Sequence, residues 1–406
     1  MWRHGILLFM QPYSVYLHIP FCRHRCGYCD FNTYAGLESL IPAYVNALCT
    51  EIEGIPVQAG GRLPVHTLFF GGGTPSLLPA LNLSQIIQAL ANSFSLDPEV
   101  EITLEANPGT LSLRYLQDIH RMGINRLSLG VQSANPFELQ LLEREHDYMD
   151  VIQAVTWARQ AGFDNLNLDL IFGLPAQRLE SWQHTLDLAL GLLPEHFSLY
   201  ALTLEHGTPL EHWAARGLVV EPDPDLAADM YEWASERLAQ AGYKQYEISN
   251  WAMHRTGELL TCRHNLQYWR GLSYLGLGAG AHGYAESRRT VNVLAPGAYI
   301  QRMQDKGSGT DGIDFPRTPA TQTISLIDRQ TEIGEFMMMG LRLVNEGVSN
   351  SVFQKRFDRS LDDLFHPQIE RLQKLGLLEW TGAQSDVLRL TQRGRLLGNQ
   401  VFVEFI

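Results

Sequence analysis

The chain has 406 residues, of which 45% are hydrophobic, so it can bury a large core in one big domain with an appendage or in two to three ordinary ones. Its formal net charge is −13, which argues against a general nucleic-acid binder, because phosphate contacts need a basic face. No apolar run reaches the length of a membrane span, and the mildly apolar start, Met1 to Met10, ends at Gln11-Pro12 without a cleavage site, so neither a transmembrane segment nor a signal peptide is expected. Five unevenly placed cysteines fit a reducing compartment, and the cytoplasm is the expected location.

The first strand is expected from Ser14, where an apolar, β-branched run leads into three cysteines. Three residues separate Cys22 from Cys26, and two separate Cys26 from Cys29. A loop this short can turn three thiolates onto one centre. A [4Fe–4S] cluster held by three thiolates keeps one iron open. The alternative is a structural zinc site that His24 would close, although such sites usually draw paired ligands from two turns. Three clustered thiols cannot pair off as disulfides.

Next, Leu40 to Glu53 has helical spacing, with Cys49 as a core thiol. Val65 to Phe70 reads as strand two and ends in Gly71-Gly72-Gly73-Thr74-Pro75. Ser84 to Phe94 reads as a helix capped by Ser84, Glu101 to Gly109 as strand three, and Ser112 to Met122 as a helix. Arg126 to Ser133 is strand four, followed by helices near Pro136–Leu142 and Tyr148–Ala161. Asn165 to Gly173 is strand five, Leu179 to Leu190 a helix, and Phe197 to Leu204 strand six. Six strand–helix units in succession predict a parallel sheet covered by helices, an open (β/α)6 barrel. In such folds the working residues stand at the C-terminal ends of strands. That rule gathers the cysteines, Gly71–Thr74, Glu105, Gln132 and Asp169 at one mouth.

Beyond residue 205 the pattern changes. A helix is expected over Leu226–Ala241, then aromatic-rich irregular stretches at His264–Trp269 and Leu275–Tyr284. Lys306 to Asp314 looks like a linker. Three helical patterns and a hairpin from Gly376 to Thr391 suggest a winged-helix-like C-terminal α+β module. Its charges nearly balance, so docking is the plainer use than DNA binding. The expected division is a tail at 1–13, a barrel at 14–205, a barrel-completing α/β region at 206–305, a linker at 306–324 and the C-terminal module at 325–406.

The open iron of a three-thiolate cluster can take the amine and carboxylate of an amino acid. The glycine run lets a ligand approach the backbone. Glu105 and Asp169 offer acceptors for ribose hydroxyls, Arg144 a forked donor for a carboxylate, and Tyr16 a packing surface. Taken singly, Glu105 and Asp169 read as caps or surface charges, and Arg144, between Glu143 and Glu145, as a solvated helical charge.

The cysteine spacing, the Gly-Gly-Gly-Thr-Pro run and the strand order resemble the radical S-adenosylmethionine (SAM) superfamily. Tyr16–Cys22, Gly71–Pro75, Gly130-Val131-Gln132 and Asp169–Pro175 are similar to the oxygen-independent coproporphyrinogen III oxidase group. The resemblance implies a [4Fe–4S] cluster on Cys22, Cys26 and Cys29. It also implies a SAM site lined by Tyr16, Gly72, Gly73, Thr74, Glu105, Gln132, Arg144 and Asp169, with the run Gly276–Gly283 approaching the adenosine from the other side. Phe31 stands where the true oxidases carry a fourth cysteine, and fewer than twenty residues precede the first strand. Both departures, with His264-Asn265-Leu266-Gln267-Tyr268-Trp269 intact, resemble the HemW-type haem chaperone branch. That branch implies haem as cargo, His264 as its iron ligand, flat apolar area from Tyr268 and Trp269, a haem-acceptor protein, and a reductant such as flavodoxin or ferredoxin. Cys262 is a candidate second haem contact or an inert buried thiol, and no Cys-x-x-Cys-His attachment site exists. The rivals are a radical decarboxylase acting on coproporphyrinogen III, and a zinc-stabilised binding module without radical chemistry.

Overall fold

The computed structural model describes residues 11–305, 314–383 and 385–406. The apolar start, residues 1–10, and residues 306–313 of the expected linker lie outside them.

Six strands alternate with helices as their apolar runs predict: β1 (Tyr13–Ile19), α1 (Ile41–Gln58), β2 (Pro64–Gly72), α2 (Ala80–Ser93), β3 (Ser95–Ala106), α3 (Leu113–Arg121), β4 (Arg126–Gln132), α4 (Tyr148–Ala161), β5 (Leu166–Phe172), α5 (Leu179–Leu190) and β6 (His196–Ala201). Each strand pairs in parallel with the next. Val15, Leu68, Leu104, Leu129 and Leu168 are wholly buried on these strands. Their near-continuous apolar runs reflect a sheet covered on both faces.

The parallel set does not end at six. Strand β8 (Tyr274–Leu277) pairs in parallel with β1 on its free side, Val15 opposite Leu275. The sheet then continues antiparallel through β9 (His282–Ala285), β10 (Arg288–Asn292) and β11 (Thr321–Leu326). At the other edge, β7 (Asn250–Arg255) pairs antiparallel with β6. Among the described residues the two edges do not pair, so the barrel is open.

Several boundaries differ from the sequence reading. Helix α2 starts at Ala80 behind Pro79, and Ser84 lies within it. Strand β3 starts six residues before Glu101, because Ser95 and Leu96 pair with Pro64 and Val65 while the exposed Asp97-Pro98-Glu99 hides the pattern. The helix expected over Leu226–Ala241 is α6 (Pro224–Gln240); His264–Trp269 lies on another, α7 (Arg263–Trp269), Leu275–Tyr284 supplies β8 and β9, and α8 (Pro296–Gln304) follows β10. Residues 321–324 of the expected linker belong to edge strand β11, whose largely exposed Thr-Gln-Thr-Ile-Ser-Leu shows no apolar face.

Helices α9 (Arg329–Gly340), α10 (Asn350–Phe357) and α11 (Leu361–Lys374) pack with a three-stranded antiparallel sheet, β12 (Val348–Ser349), β13 (Leu378–Thr381) and β14 (Val387–Leu390). Met337, Phe353, Phe357, Leu372, Leu390 and Phe402 form a core separate from that of the barrel. This is the winged-helix-like α+β module.

Candidate functional site

The cysteine loop leaves the C-terminal end of β1. Cys22, Cys26 and Cys29 all line one cavity of about 420 Å³ at the barrel mouth. The loop is tied down at both ends. The Asn32 amide nitrogen donates to the Ala279 and Leu294 carbonyls (3.2 and 2.9 Å), and the Tyr34 N–H donates to Pro20 O (2.8 Å). Among the described residues, no three His, Cys, Asp or Glu side chains converge as they must on a single metal ion. A cubane needs no such convergence, since its three thiolates bind three different irons. His24 points elsewhere, to Glu143 at 3.4 Å. Burial pushes the Cys22 and Cys29 thiols up, so they give up protons when a cationic centre binds.

The glycine run follows β2 into the same cavity. Gly72 has φ +109°, and a Cβ there would stand 2.5 Å from the His18 ring. A Cβ on Gly73 would stand 2.6 Å from the Phe21 carbonyl oxygen, so this loop and the cysteine loop touch through backbone. The Thr74 hydroxyl donates to Cys22 Sγ (3.7 Å).

Glu105 and Asp169 come from β3 and β5. Gly72 N–H donates to Glu105 Oε2 (3.2 Å). Asp169 accepts from Ser128 Oγ and Asn167 Nδ2, both at 2.8 Å. Burial, then the charge of Asp169, pushes Glu105 up to about 8, and burial raises Asp169 as well. Two such carboxyl groups do not ionise together near neutral pH. Gln132 reaches the cavity through a bulge in β4, where Gly130 pairs with Asp169 and Gln132 with Leu170; Gln132 takes φ 66°, a conformation unusual outside glycine.

Arg144 corrects the reading of a solvated charge. Its guanidinium lies beside the cysteines, donating to Gly130 O (2.9 Å) and Cys26 Sγ (3.7 Å). Its Nε is buried without a partner, as is Asn107 Oδ1 at the end of β3. Unsatisfied polar atoms at three free thiols fit a bound polar cofactor. Asn107, Ser128 and Tyr28 line this cavity, and the sequence reading passed over them. The strand-end rule reaches Asn107, which directly follows β3.

A second cavity of about 660 Å³ opens beside the first, between the barrel mouth and α9. Asp30, Phe31, Gly72 and Glu105 line both. Phe31 is 63% exposed at this shared border. Tyr16, placed with the SAM residues on sequence, lines the second cavity rather than the first. The run 276–283 likewise does not line the cysteine cavity; Gly280 and His282 line the second. Tyr268, Trp269, Tyr274, Tyr284 and Phe336 form its aromatic wall.

Helix α7 packs against the inner face of β2 and puts His264 beneath this cavity. The His264 ring stacks on Phe69, with centroids 5.0 Å apart. Thr67 donates to Ser14 Oγ (2.6 Å), so the His264 Nδ1–H donates to Thr67 (2.8 Å). Its Nε2 then accepts from the Tyr268 hydroxyl (2.8 Å). Burial, with lesser contributions from His66 and Arg126, pushes the ring down to about 3, so it is neutral. Both ring nitrogens of His264, the expected haem ligand, are thus engaged within the protein, and its side chain is buried. Cys262 is buried too, its thiol donating to Glu101 at 3.8 Å. Cys49 is half-buried against the barrel core.

Among the described residues no helix is long and apolar enough to cross a membrane. Residues 16–189 match the radical SAM superfamily, and residues 327–397 match the HemN C-terminal domain. The chain is 37% identical over 394 residues to the heme chaperone HemW of Bacillus subtilis (strain 168), covering 97% of this chain and 99% of that protein. It is 35% identical over 396 residues to the mitochondrial radical S-adenosyl methionine domain-containing protein 1 of Bos taurus, covering 95% of this chain and 82% of the other. The coproporphyrinogen III oxidase HemN of Escherichia coli, a radical SAM enzyme, has a similar structure: TM-score 0.80, 25% identity, 98% of this chain and 90% of that one. Superfamily membership implies a [4Fe–4S] cluster and SAM, and the three free thiols with the unsatisfied Arg144 Nε donor and Asn107 Oδ1 acceptor fit them. With a barrel that ends in the matching C-terminal module and a relative alike from end to end, the chain belongs to the HemW family of the radical SAM superfamily.

Proposed function

We propose that this protein is a haem chaperone. It holds haem in the aromatic-walled cavity beside a cluster-and-SAM site and passes it to an acceptor protein. The contiguity of the two cavities carries this reading: Asp30, Phe31, Gly72 and Glu105 belong to both, so a change at one site reaches the other through shared side chains. The curated names of the relatives support it.

On this reading Cys22, Cys26 and Cys29 hold the cluster, while Gly72, Gly73, Thr74, Glu105, Gln132, Arg144 and Asp169 receive SAM. A cluster held on those cysteines would supply one-electron reducing chemistry beside a bound SAM. The chain's part is positioning. The glycine loop opens the backbone, Arg144 lays its guanidinium beside Cys26, and Glu105 and Asp169 offer oxygens to a ligand's hydroxyls. Tyr268 and Trp269 present flat faces to a porphyrin.

An anaerobic haem titration of the full chain tests this. Saturable binding near one haem per chain, with a Soret shift, is expected. Absence of saturable binding, with turnover of coproporphyrinogen III, would replace the chaperone by the decarboxylase.

A further inference from the structure

If haem occupies the second cavity, its iron needs a ligand there. Histidine Nε2 and Nδ1 are natural candidates. Two histidines line this cavity, His18 and His282. His18 has neither nitrogen free: Nδ1 accepts from the Tyr16 hydroxyl (3.0 Å) and Nε2–H donates to Asn32 O (2.9 Å). His264 lies below, with both nitrogens engaged. His282 differs. Its side chain is exposed to the cavity and makes no hydrogen bond among the described residues.

The backbone that carries His282 is held firmly. His282 pairs with Val291 across β9 and β10. A Cβ on Gly276 would stand 1.9 Å from the His282 carbonyl oxygen, so β8 and the start of β9 are in backbone contact. A ligand on a strand is placed more rigidly than one on a loop. Burial, then the nearby Arg289 charge, lowers the His282 titration, which leaves a neutral ring with a lone pair near pH 7.

The opposite wall suits the rest of a haem. Phe336 and Met339 of α9 give apolar surface. Arg289 and Arg356 bring two guanidinium groups to the same cavity. Each is held by a glutamate of the C-terminal module, Arg289 by Glu335 and Arg356 by Glu332, both at 2.9 Å. Both ion pairs line the cavity, so a ligand's carboxylates would share guanidinium groups already paired with glutamates at the seam between barrel and module.

Resting on the haem reading above, we propose that His282 is the side chain that ligates the haem iron, and that His264 acts only as a positioning residue through the Tyr268 hydroxyl. The bond is a coordinate one, formed by a ring-nitrogen lone pair in place of a water or free ligand on iron, with no change of oxidation state.

The test is a haem titration of the full chain, followed by Soret absorbance and ferric electron paramagnetic resonance, for wild type, His282→Ala, His282→Met and His264→Ala. Cluster iron and sulfide content reports folding of each variant. His282→Ala is expected to weaken haem binding about tenfold or more and to lose the imidazole-ligated spectrum. Added imidazole is expected to restore that spectrum. His282→Met is expected to retain haem with a shifted spectrum, because a thioether replaces the imidazole. His264→Ala is expected to keep the imidazole signature. An unchanged spectrum and affinity in His282→Ala overturns the proposal while leaving the chaperone in place. Loss of the signature in His264→Ala but not in His282→Ala overturns it in favour of the motif histidine. Failure of the wild type itself to bind haem overturns the proposed function and this inference together.

Discussion

The Tyr268 hydroxyl donates to Nε2 of His264 at 2.8 Å, one turn apart on α7. The hydrogen bonds run from Tyr268 through His264 and Thr67 to Ser14, so a cavity-lining phenol is locked to the first two strands of the barrel. Removing the imidazole by His264→Ala leaves a hole and strands the Thr67 and Tyr268 hydroxyls. A loss of about 2–4 kcal/mol in unfolding free energy is expected from the cavity and the unpaired groups. Tyr268→Phe keeps the ring and is expected to lose only about 1 kcal/mol. Denaturant unfolding of both variants checks the order, and a larger loss in Tyr268→Phe would refute it.

The ligand assignment divides the five cysteines sharply. Cys22→Ser, Cys26→Ser and Cys29→Ser are each expected to lose the [4Fe–4S] absorbance and acid-labile sulfide after anaerobic reconstitution. Cys49→Ala and Cys262→Ala are expected to keep both, since these thiols stand away from the mouth cavity. A full cluster in any of the first three, or cluster loss in either of the others, contradicts the assignment.

Glycine 73 is a steric hinge between the two mouth loops. Gly73→Ala places a methyl 2.6 Å from the Phe21 carbonyl oxygen, next to the first cluster cysteine. Neither backbone has a flexible end to move aside. We expect a loss of about 1–3 kcal/mol by overpacking and a clearly lower iron content per chain. Iron analysis alongside thermal unfolding measures both, and normal loading with unchanged stability would show that the loops do not need this contact.

Stability should fall on the alkaline side. Glu105 is pushed from its ordinary 4.5 up to about 8 by burial and by Asp169, so the folded chain keeps a proton that the unfolded chain releases. Its contribution is full below 4.5 and is lost as pH rises through about 8. Glu247, pushed up to about 7 by burial, acts in the same direction. His264 and His146, pushed down to about 3 and about 4, act the opposite way, but their contribution is complete above 6.5. Between about pH 6.5 and pH 8.5, the urea midpoint of the chain without SAM is expected to fall, and to fall less in Glu105→Gln. Equal slopes in the two proteins would show that Glu105 does not carry the proton.

Much of the mouth was legible because α/β folds put chemistry at strand ends. The cysteine loop follows β1, the glycine run closes β2, and Glu105, Gln132 and Asp169 lie on β3, β4 and β5; all line one cavity. Taken singly Arg144 reads as a solvated charge, because its neighbours are Glu143 and Glu145 and local composition does not say which way a loop turns; only the family resemblance pointed it to the mouth. His264 looked like a ligand because its motif is polar and aromatic. Its Nδ1 partner, Thr67, lies 197 positions away, and that hydrogen bond exists only once α7 enters the barrel.

By itself the sequence determined the strand–helix alternation, the clustering of three cysteines after the first strand and the family, because buried apolar periodicity and short cysteine spacing are local properties. Tertiary structure decided the rest. It added β8 as a seventh parallel strand beside β1, split the mouth into two cavities that share Phe31 and Glu105, and engaged the His264 ring while leaving that of His282 without a hydrogen bond among the described residues. Those outcomes depend on which residues distant in the chain come to share a wall, and no periodicity encodes that.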